Sequence, residues 1–170
     1  MKIFFGAAIQ GQKNRVDRAS VHKTLIECIK TQGFQVITEH TTGTTFEETT
    51  KLLEESIGPL PPPGLQRRIY VCNKMIEGVE GDIAGAVFEV SLPSLGTGIE
   101  LAHAYLRPRL RLKTIPVLAL YEKNFWPNDL STMIRGITNK KVPHFHLKEY
   151  SHLEEAKSLL AEFLKTLSRP

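Results

Sequence analysis

"FEVSLPSLGTGIELAHA", Phe88 to Ala104, decides how this chain is read. It ends an apolar run, "DIAGAVFEV" (Asp82–Val90), of the kind that forms a strand buried on both faces. The run empties into a short turn of serine, proline and glycine, and Ile99 to Leu106 then carries helical spacing. In a parallel sheet the carboxyl end of a strand is where ligands bind. Gly96 and Gly98 let backbone N–H groups approach a ligand closely, and a helix start adds unsatisfied N–H groups that favour an anion. Glu100 falls in the first turn expected for that helix, where the dipole favours its ionised form. A carboxylate beside an N–H nest suits attack on an electron-poor carbon next to a bound anion, as at the anomeric carbon of a nucleotide sugar. The same glutamate also fits a surface helix whose dipole it merely complements.

Outward from this stretch, strands alternate with helices. "KIFFGAA" (Lys2–Ala8) reads as a first strand rather than a signal peptide. Asp17 to Gln32 is a helix through Val21, Leu25, Cys28 and Ile29, stopped by Gly33. "FQVIT" (Phe34–Thr38) is a short strand, and the capping-box spacing Thr45 to Glu48 starts a helix over Phe46 to Ser56. "GPLPPPG" (Gly58–Gly64) excludes regular structure. Leu65 to Glu80 is a helix with Ile69, Cys72, Ile76 and Val79 on one stripe. "TIPVLAL" (Thr114–Leu120), a short helix over Asp129 to Ile137 and a weak strand "PHFHL" (Pro143–Leu147) follow. Ser151 to Glu154 spells a second capping box before an amphipathic closing helix with Leu153, Ala156, Leu160, Phe163, Leu164 and Leu167. The pattern is a single domain, residues 1–170: an α/β, flavodoxin-like three-layer sandwich on a five-stranded parallel sheet.

Composition narrows the partners. The 170 residues suit one domain with a real core, and 41% hydrophobic with 24% charged residues excludes disorder. The net charge of +4, from 22 basic and 18 acidic residues, is spread out apart from "RPRLRLK" (Arg107–Lys113) and "NKK" (Asn139–Lys141). No concentrated stripe marks a nucleic-acid binder, and no apolar run has membrane-spanning length. Cys28 and Cys72, without metal-ligand spacing, read as buried thiols in a reducing cytoplasm. The E-x-x-H pair Glu100 and His103 lacks the further carboxylates of a di-iron site, and His144 and His146 lack partners for zinc, so no metal or cofactor is expected. His144 and His146 read as solvent-facing on an edge strand, and Trp126 as a loop residue that covers a pocket or packs on Pro127.

Four blocks in order carry a resemblance: "KIFFGAAIQG" (Lys2–Gly11), "VITEH" (Val36–His40), "FEVSLPSLGTGIELAHA" and "LSTMIRG" (Leu130–Gly136). Together they resemble the nucleoside 2-deoxyribosyltransferase family, and within it the 2'-deoxynucleoside 5'-phosphate N-hydrolases. The match runs from Lys2 to about Gly136 and is poor between Thr41 and Glu80. The resemblance implies that Glu100 is the nucleophile, taking the anomeric carbon and expelling the base. Water then releases the sugar in hydrolases, and a second base takes it in transferases. Ser94, Gly96 and Gly98 would line a 5'-phosphate pocket, with Ser131, beside Met133, donated by the other subunit of a homodimer. Ala8, Ile9, Gln10, Gly11 and His40 would complete the contacts to a small-molecule nucleoside or nucleotide.

The chain departs from that branch at several positions. Phe4, Ala8 and Gln10 stand where it usually has tyrosine, serine and arginine. A hydroxyl and a bidentate phosphate clamp are thereby gone, with Lys13 and Arg15 on the same loop as candidate replacements. The family's aspartate before the third strand falls on Lys74 or Ile76, according to the count, with Asn73 and Glu77 nearby. Three functions stay open on the sequence: N-glycosidic hydrolysis of a 2'-deoxynucleoside 5'-monophosphate, base exchange, and nucleotide binding with little catalysis.

Overall fold

The computed structural model describes residues 1–9, 15–125 and 130–167. Among them lie five strands, all paired in parallel: β1 (Lys2–Ala7), β2 (Gln35–Val36), β3 (Gly85–Glu89), β4 (Val117–Glu122) and β5 (Phe145–Tyr150). Their order is β2-β1-β3-β4-β5, the flavodoxin-like arrangement, in which the chain reverses direction across the sheet between β1 and β3. The helices are α1 (Arg15–Thr31), α2 (Phe46–Ile57), α3 (Leu65–Glu80), α4 (Leu95–Tyr105), α5 (Thr132–Arg135) and α6 (Leu153–Leu167).

Alternation along each strand builds two cores. Ile3 and Phe5 of β1, Val87 of β3, and Leu118 and Leu120 of β4 meet Leu25, Ile26 and Ile29 of α1 and Ala156, Leu160 and Leu164 of α6. Phe4, Ala86, Phe88, Val117 and Ala119 point the other way, onto Val79 of α3 and Leu101 and Ala104 of α4. These layers are the three-layer sandwich expected from the alternating elements.

Several local readings shift by a turn. On α3 the buried residues are Met75 and Val79, while Ile69 and Cys72 are exposed. Val79 is thus buried as expected, but Met75 rather than Ile69 or Cys72 joins it, with Gly78 turned toward Phe4 and Ile37. Cys28 is half-buried and Cys72 exposed, and both are free thiols. β2 is only two residues long; beyond it the Thr38 hydroxyl accepts from Phe5 N (2.9 Å) and donates to Phe5 O (2.7 Å), a side chain continuing the pairing where the strand departs. Thr45 caps α2 by accepting from Glu48 N (3.1 Å), but Glu48 reaches back to Thr44. Before α6 the box is displaced by one residue: Glu155, not Glu154, accepts from Ser151 N (2.7 Å), and His152 Nδ1 accepts from Glu155 N. His144 and His146 are half-buried rather than solvent-facing. His144 Nε2 lies 2.9 Å from Tyr105 O, and His146 packs edge-on against Phe163.

β1 needs its glycine. A Cβ at Gly6 would lie 2.5 Å from two ring carbons of Phe88, itself fully buried on the neighbouring strand. Gly6→Ala is expected to cost roughly 1–3 kcal/mol through overpacking, measured by denaturant unfolding. An unchanged midpoint would mean that Phe88 has room to move.

Candidate active site

The loops at the carboxyl ends of β1, β2 and β3 gather on one edge of the sheet. α4 begins earlier than its spacing suggests. Ser94 is its N-cap, accepting from Thr97 N (3.3 Å), and Gly98 N already bonds Ser94 O (3.0 Å). Glu100 therefore sits in the second turn, not the first, and the dipole argument for its charge loses its footing. Burial dominates instead and pushes the Glu100 carboxyl up to about 7, so the acid and its anion coexist at neutral pH rather than the anion alone. Among the described residues no hydrogen bond or ion pair to this carboxylate is made. Its Oε2 reaches over the end of β1 and would lie 3.2 Å from a Cβ at Gly6. The glycine that lets Phe88 pack thus also makes room for the carboxylate.

Gly96 and Gly98 answer to no internal demand. Neither has positive φ, and a Cβ at Gly98 would meet nothing within 4 Å, one at Gly96 only Ser94 Oγ at 3.9 Å. The space above them is open, and the Leu95 and Gly96 amides of the first turn have no intrahelical acceptor. A cleft of about 590 Å³ runs past this helix start, lined among others by Ser91, Ser94, Gly98, Lys123 and Ser131. Glu100 lies outside it, on the β1 side of α4.

The expected contacts thus fall into two groups. Ser94, Gly98 and Ser131 share the cleft on the β4 side, and Gly96 lies exposed in the same first turn of α4. Ala8 is buried at the end of β1 with Ile9 half-buried beside it, and His40 is buried in the turn after β2. Met133 is exposed on α5. Gln10, Gly11, Lys13 and Trp126, and the side chain of Arg15, lie outside the described residues. Burial lowers His40 to about 4, so its ring is neutral, and neither its Nδ1 nor the Thr41 hydroxyl has a partner among the described residues. Glu39 is turned away to Lys30 (2.6 Å), Lys74 pairs with Glu77 (2.6 Å), and His103 Nδ1 meets Glu80 (2.6 Å) between α4 and α3. Among the described residues no three His, Cys, Asp or Glu side chains converge as a metal site requires, and no helix is long and apolar enough to cross a membrane.

The position of Glu89 at the end of the third strand suggests that it accepts from loop amides, but the rest of the buried polar cluster behind the site does not follow from that position. Glu89 Oε1 accepts from Ser91 N (3.3 Å), from the Ser91 hydroxyl and from Tyr150 OH (3.1 Å). Ser91 Oγ in turn accepts from Glu122 N (2.7 Å). Arg18 donates to Glu122 (2.7 Å) and Tyr150 OH (3.2 Å) and covers the Phe125 ring at 4.3 Å. Burial alone would raise Glu89, but His22, Arg18 and Ser91 hold it below the usual carboxylate range. A signal was present: Arg18 and His22 continue the Leu25 and Ile29 stripe toward the start of α1, so two ionisable residues sit on the helix's buried face.

No family model matches the chain. It is 33% identical over 156 residues to a Thermofilum pendens protein provisionally named 2'-deoxynucleoside 5'-phosphate N-hydrolase 1, covering 92% of this chain and 90% of the relative. A Nematostella vectensis protein with the same provisional name is 30% identical over 166 residues, 98% of this chain and 95% of the relative. Similarity at that level across nearly all of both chains, with the glutamate-bearing helix at the strand ends, makes this protein a member of the 2'-deoxynucleoside 5'-phosphate N-hydrolase family.

Proposed function

We propose that the protein hydrolyses the N-glycosidic bond of 2'-deoxynucleoside 5'-monophosphates with Glu100 as nucleophile. The observation that carries this reading is a partly desolvated carboxylate, without a partner among the described residues, held over Gly6 beside an open glycine-lined helix start. In the first step a Glu100 oxygen bonds to the anomeric carbon as the bond to the base breaks, giving a glycosyl ester. In the second, water displaces the carboxylate from that carbon. Over both steps water delivers its hydroxyl to the sugar and its proton to the base. Desolvation leaves the ionised carboxylate poorly hydrated and so a stronger nucleophile. Neutral His40 and the Thr41 hydroxyl supply unspent hydrogen-bonding capacity for a substrate, and the Leu95 and Gly96 amides suit its phosphate.

Glu100→Gln tests the nucleophile on two axes. Base release from monophosphates, followed by chromatography, should fall to background. In the wild type kcat/KM should rise with pH through about 7, as the raised carboxyl ionises. The folded-state value lies above the unfolded one, so the stability that Glu100 confers when protonated is lost as pH rises through the folded value. The variant should therefore unfold at higher temperature than the wild type at pH 8, with the difference vanishing near pH 4. Substantial turnover by Glu100→Gln would sink the mechanism whatever its stability.

We propose further that two copies of the chain meet at this helix start. The resemblance has Ser131 donated by a partner, but Ser131 already lines the cleft with Ser94 and Gly98 of its own chain, so mixing of subunits has to decide which copy supplies it. Leu95 and Ile99 on α4 and Met133 on α5 are exposed apolar side chains close to that helix start, as an interface requires. Glu100→Gln chains, inactive alone, and Ser131→Ala chains, weakened alone, should regain activity when mixed and allowed to exchange subunits. Failure to complement, with both variants folded and dimeric, would place Ser131 in its own chain's chemistry or outside it.

Phosphate preference is the third test. A charge-assisted bond to phosphate contributes about 1.5–3 kcal/mol, and a bidentate arginine makes two such bonds. With glutamine at position 10, the monophosphate should be preferred over the nucleoside by less than in relatives carrying arginine, and Gln10→Arg should widen the preference. A bare nucleoside proving the better substrate, above all with a free base as acceptor, would favour deoxyribosyl transfer.

A further inference from the structure

His22 is almost fully buried on α1, edge-on to Phe5, and is not among the expected site contacts. Its Nδ1 lies 3.0 Å from Thr41 O, in the turn that follows β2. A carbonyl oxygen only accepts, so Nδ1 carries the proton there. Its Nε2 lies 3.5 Å from Glu89 Oε2, on β3. A neutral ring with its proton on Nδ1 would turn an Nε2 lone pair toward a carboxylate lone pair, in a place where neither atom makes a hydrogen bond among the described residues. A proton between Nε2 and Oε2 removes that conflict. Glu89 is surrounded by groups that favour its anion: the Arg18 charge on α1, and as donors Ser91 after β3 and Tyr150 OH on β5. The proton therefore belongs to the ring.

We propose that His22 is a positioning residue of the site, an imidazolium that donates Nδ1–H to the Thr41 carbonyl and faces Glu89 with Nε2–H across 3.5 Å. It thereby holds the turn bearing His40 and the loop bearing Ser91 and Ser94 as one unit. Glu89 relays the constraint, since its other oxygen accepts from Ser91 N and Oγ at the first residue of that loop. The charged and titratable groups around the ring are Glu89 on β3, Arg18 on α1, Glu122 on β4, Tyr150 on β5 and His40 in the turn after β2. Arg18 and His22 together face the Glu89 and Glu122 carboxylates, so the buried cluster closes with two cations and two anions.

The proposal rests on the strand ends being the substrate site, but its test needs no turnover. Long-range ¹⁵N–¹H spectra of the wild-type protein at pH 7 should show both His22 ring nitrogens protonated. A neutral ring of either tautomer would overturn the proposal. In His22→Phe, which keeps an aromatic ring in the same space, hydrogen exchange should rise about tenfold or more in residues 38–42 and 90–94 together, with β1 and β4 unchanged. A rise in only one segment, or a uniform rise, would show that the ring fills space without coupling the loops. Should His22→Phe fail to fold, the ring spectra decide alone. Absence of N-glycosidase activity with protonated His22 nitrogens and coupled loops would count against the assigned reaction, not against this coupling.

Discussion

A carboxylate buried at the end of the central strand has to be neutralised, and the upper half of this molecule is arranged around that demand. Glu89 is about 1% exposed at the carboxyl end of β3. An unpaired charge there would cost several kcal/mol. Three directions supply partners instead: Ser91 from the loop that follows and Tyr150 from the far edge of the sheet donate to one oxygen, while His22, 3.5 Å from the other, and the Arg18 charge approach from α1. Each donor fixes the element it comes from. The course of the chain out of β3 is thereby set at its first residue, and Ser91 passes the constraint to Glu122 of β4 through the backbone.

That anchoring permits an opposite arrangement on the other face of the sheet. Successive residues of a strand point to opposite sides, so Glu89 faces α1 while Phe88 faces α4. Against Phe88 the carboxylate of Glu100 is left without a cation or amide among the described residues, and burial raises its pKa to about 7. The two glutamates are eleven positions apart and differ in state for one reason: Glu89 has its donors preorganised and Glu100 has none. A group kept poorly solvated and unpaired is suited to forming a bond with a substrate. The stability lost to its ionisation is supplied by the cores on both faces of the sheet.

The order of the elements was legible because buried strands, helical stripes and breakers are local patterns. The bounds of α3 follow from its spacing and Val79 is buried as that spacing predicts, yet Met75 rather than Ile69 or Cys72 joins it, because what a helix faces depends on the elements packed against it. The start of α4 was misread by four residues, since Gly96 and Gly98 look like loop, while the Ser94 hydroxyl and the first helical bonds make them helix.

The sequence by itself determined the α/β order, the parallel sheet and the motif that carries Glu100, all of which follow from side-chain periodicity and short-range turn chemistry. The tertiary structure alone decided the charge states and groupings. It placed Ser131 in one cleft with Ser94 and Gly98, brought Arg18 and His22 beside Glu89 over more than sixty residues of chain, and left Glu100 desolvated. The reason is physical: a pKa, an ion pair or a shared cleft depends on which atoms surround a group in space, and a linear spacing holds no record of the neighbours that a fold brings from distant strands.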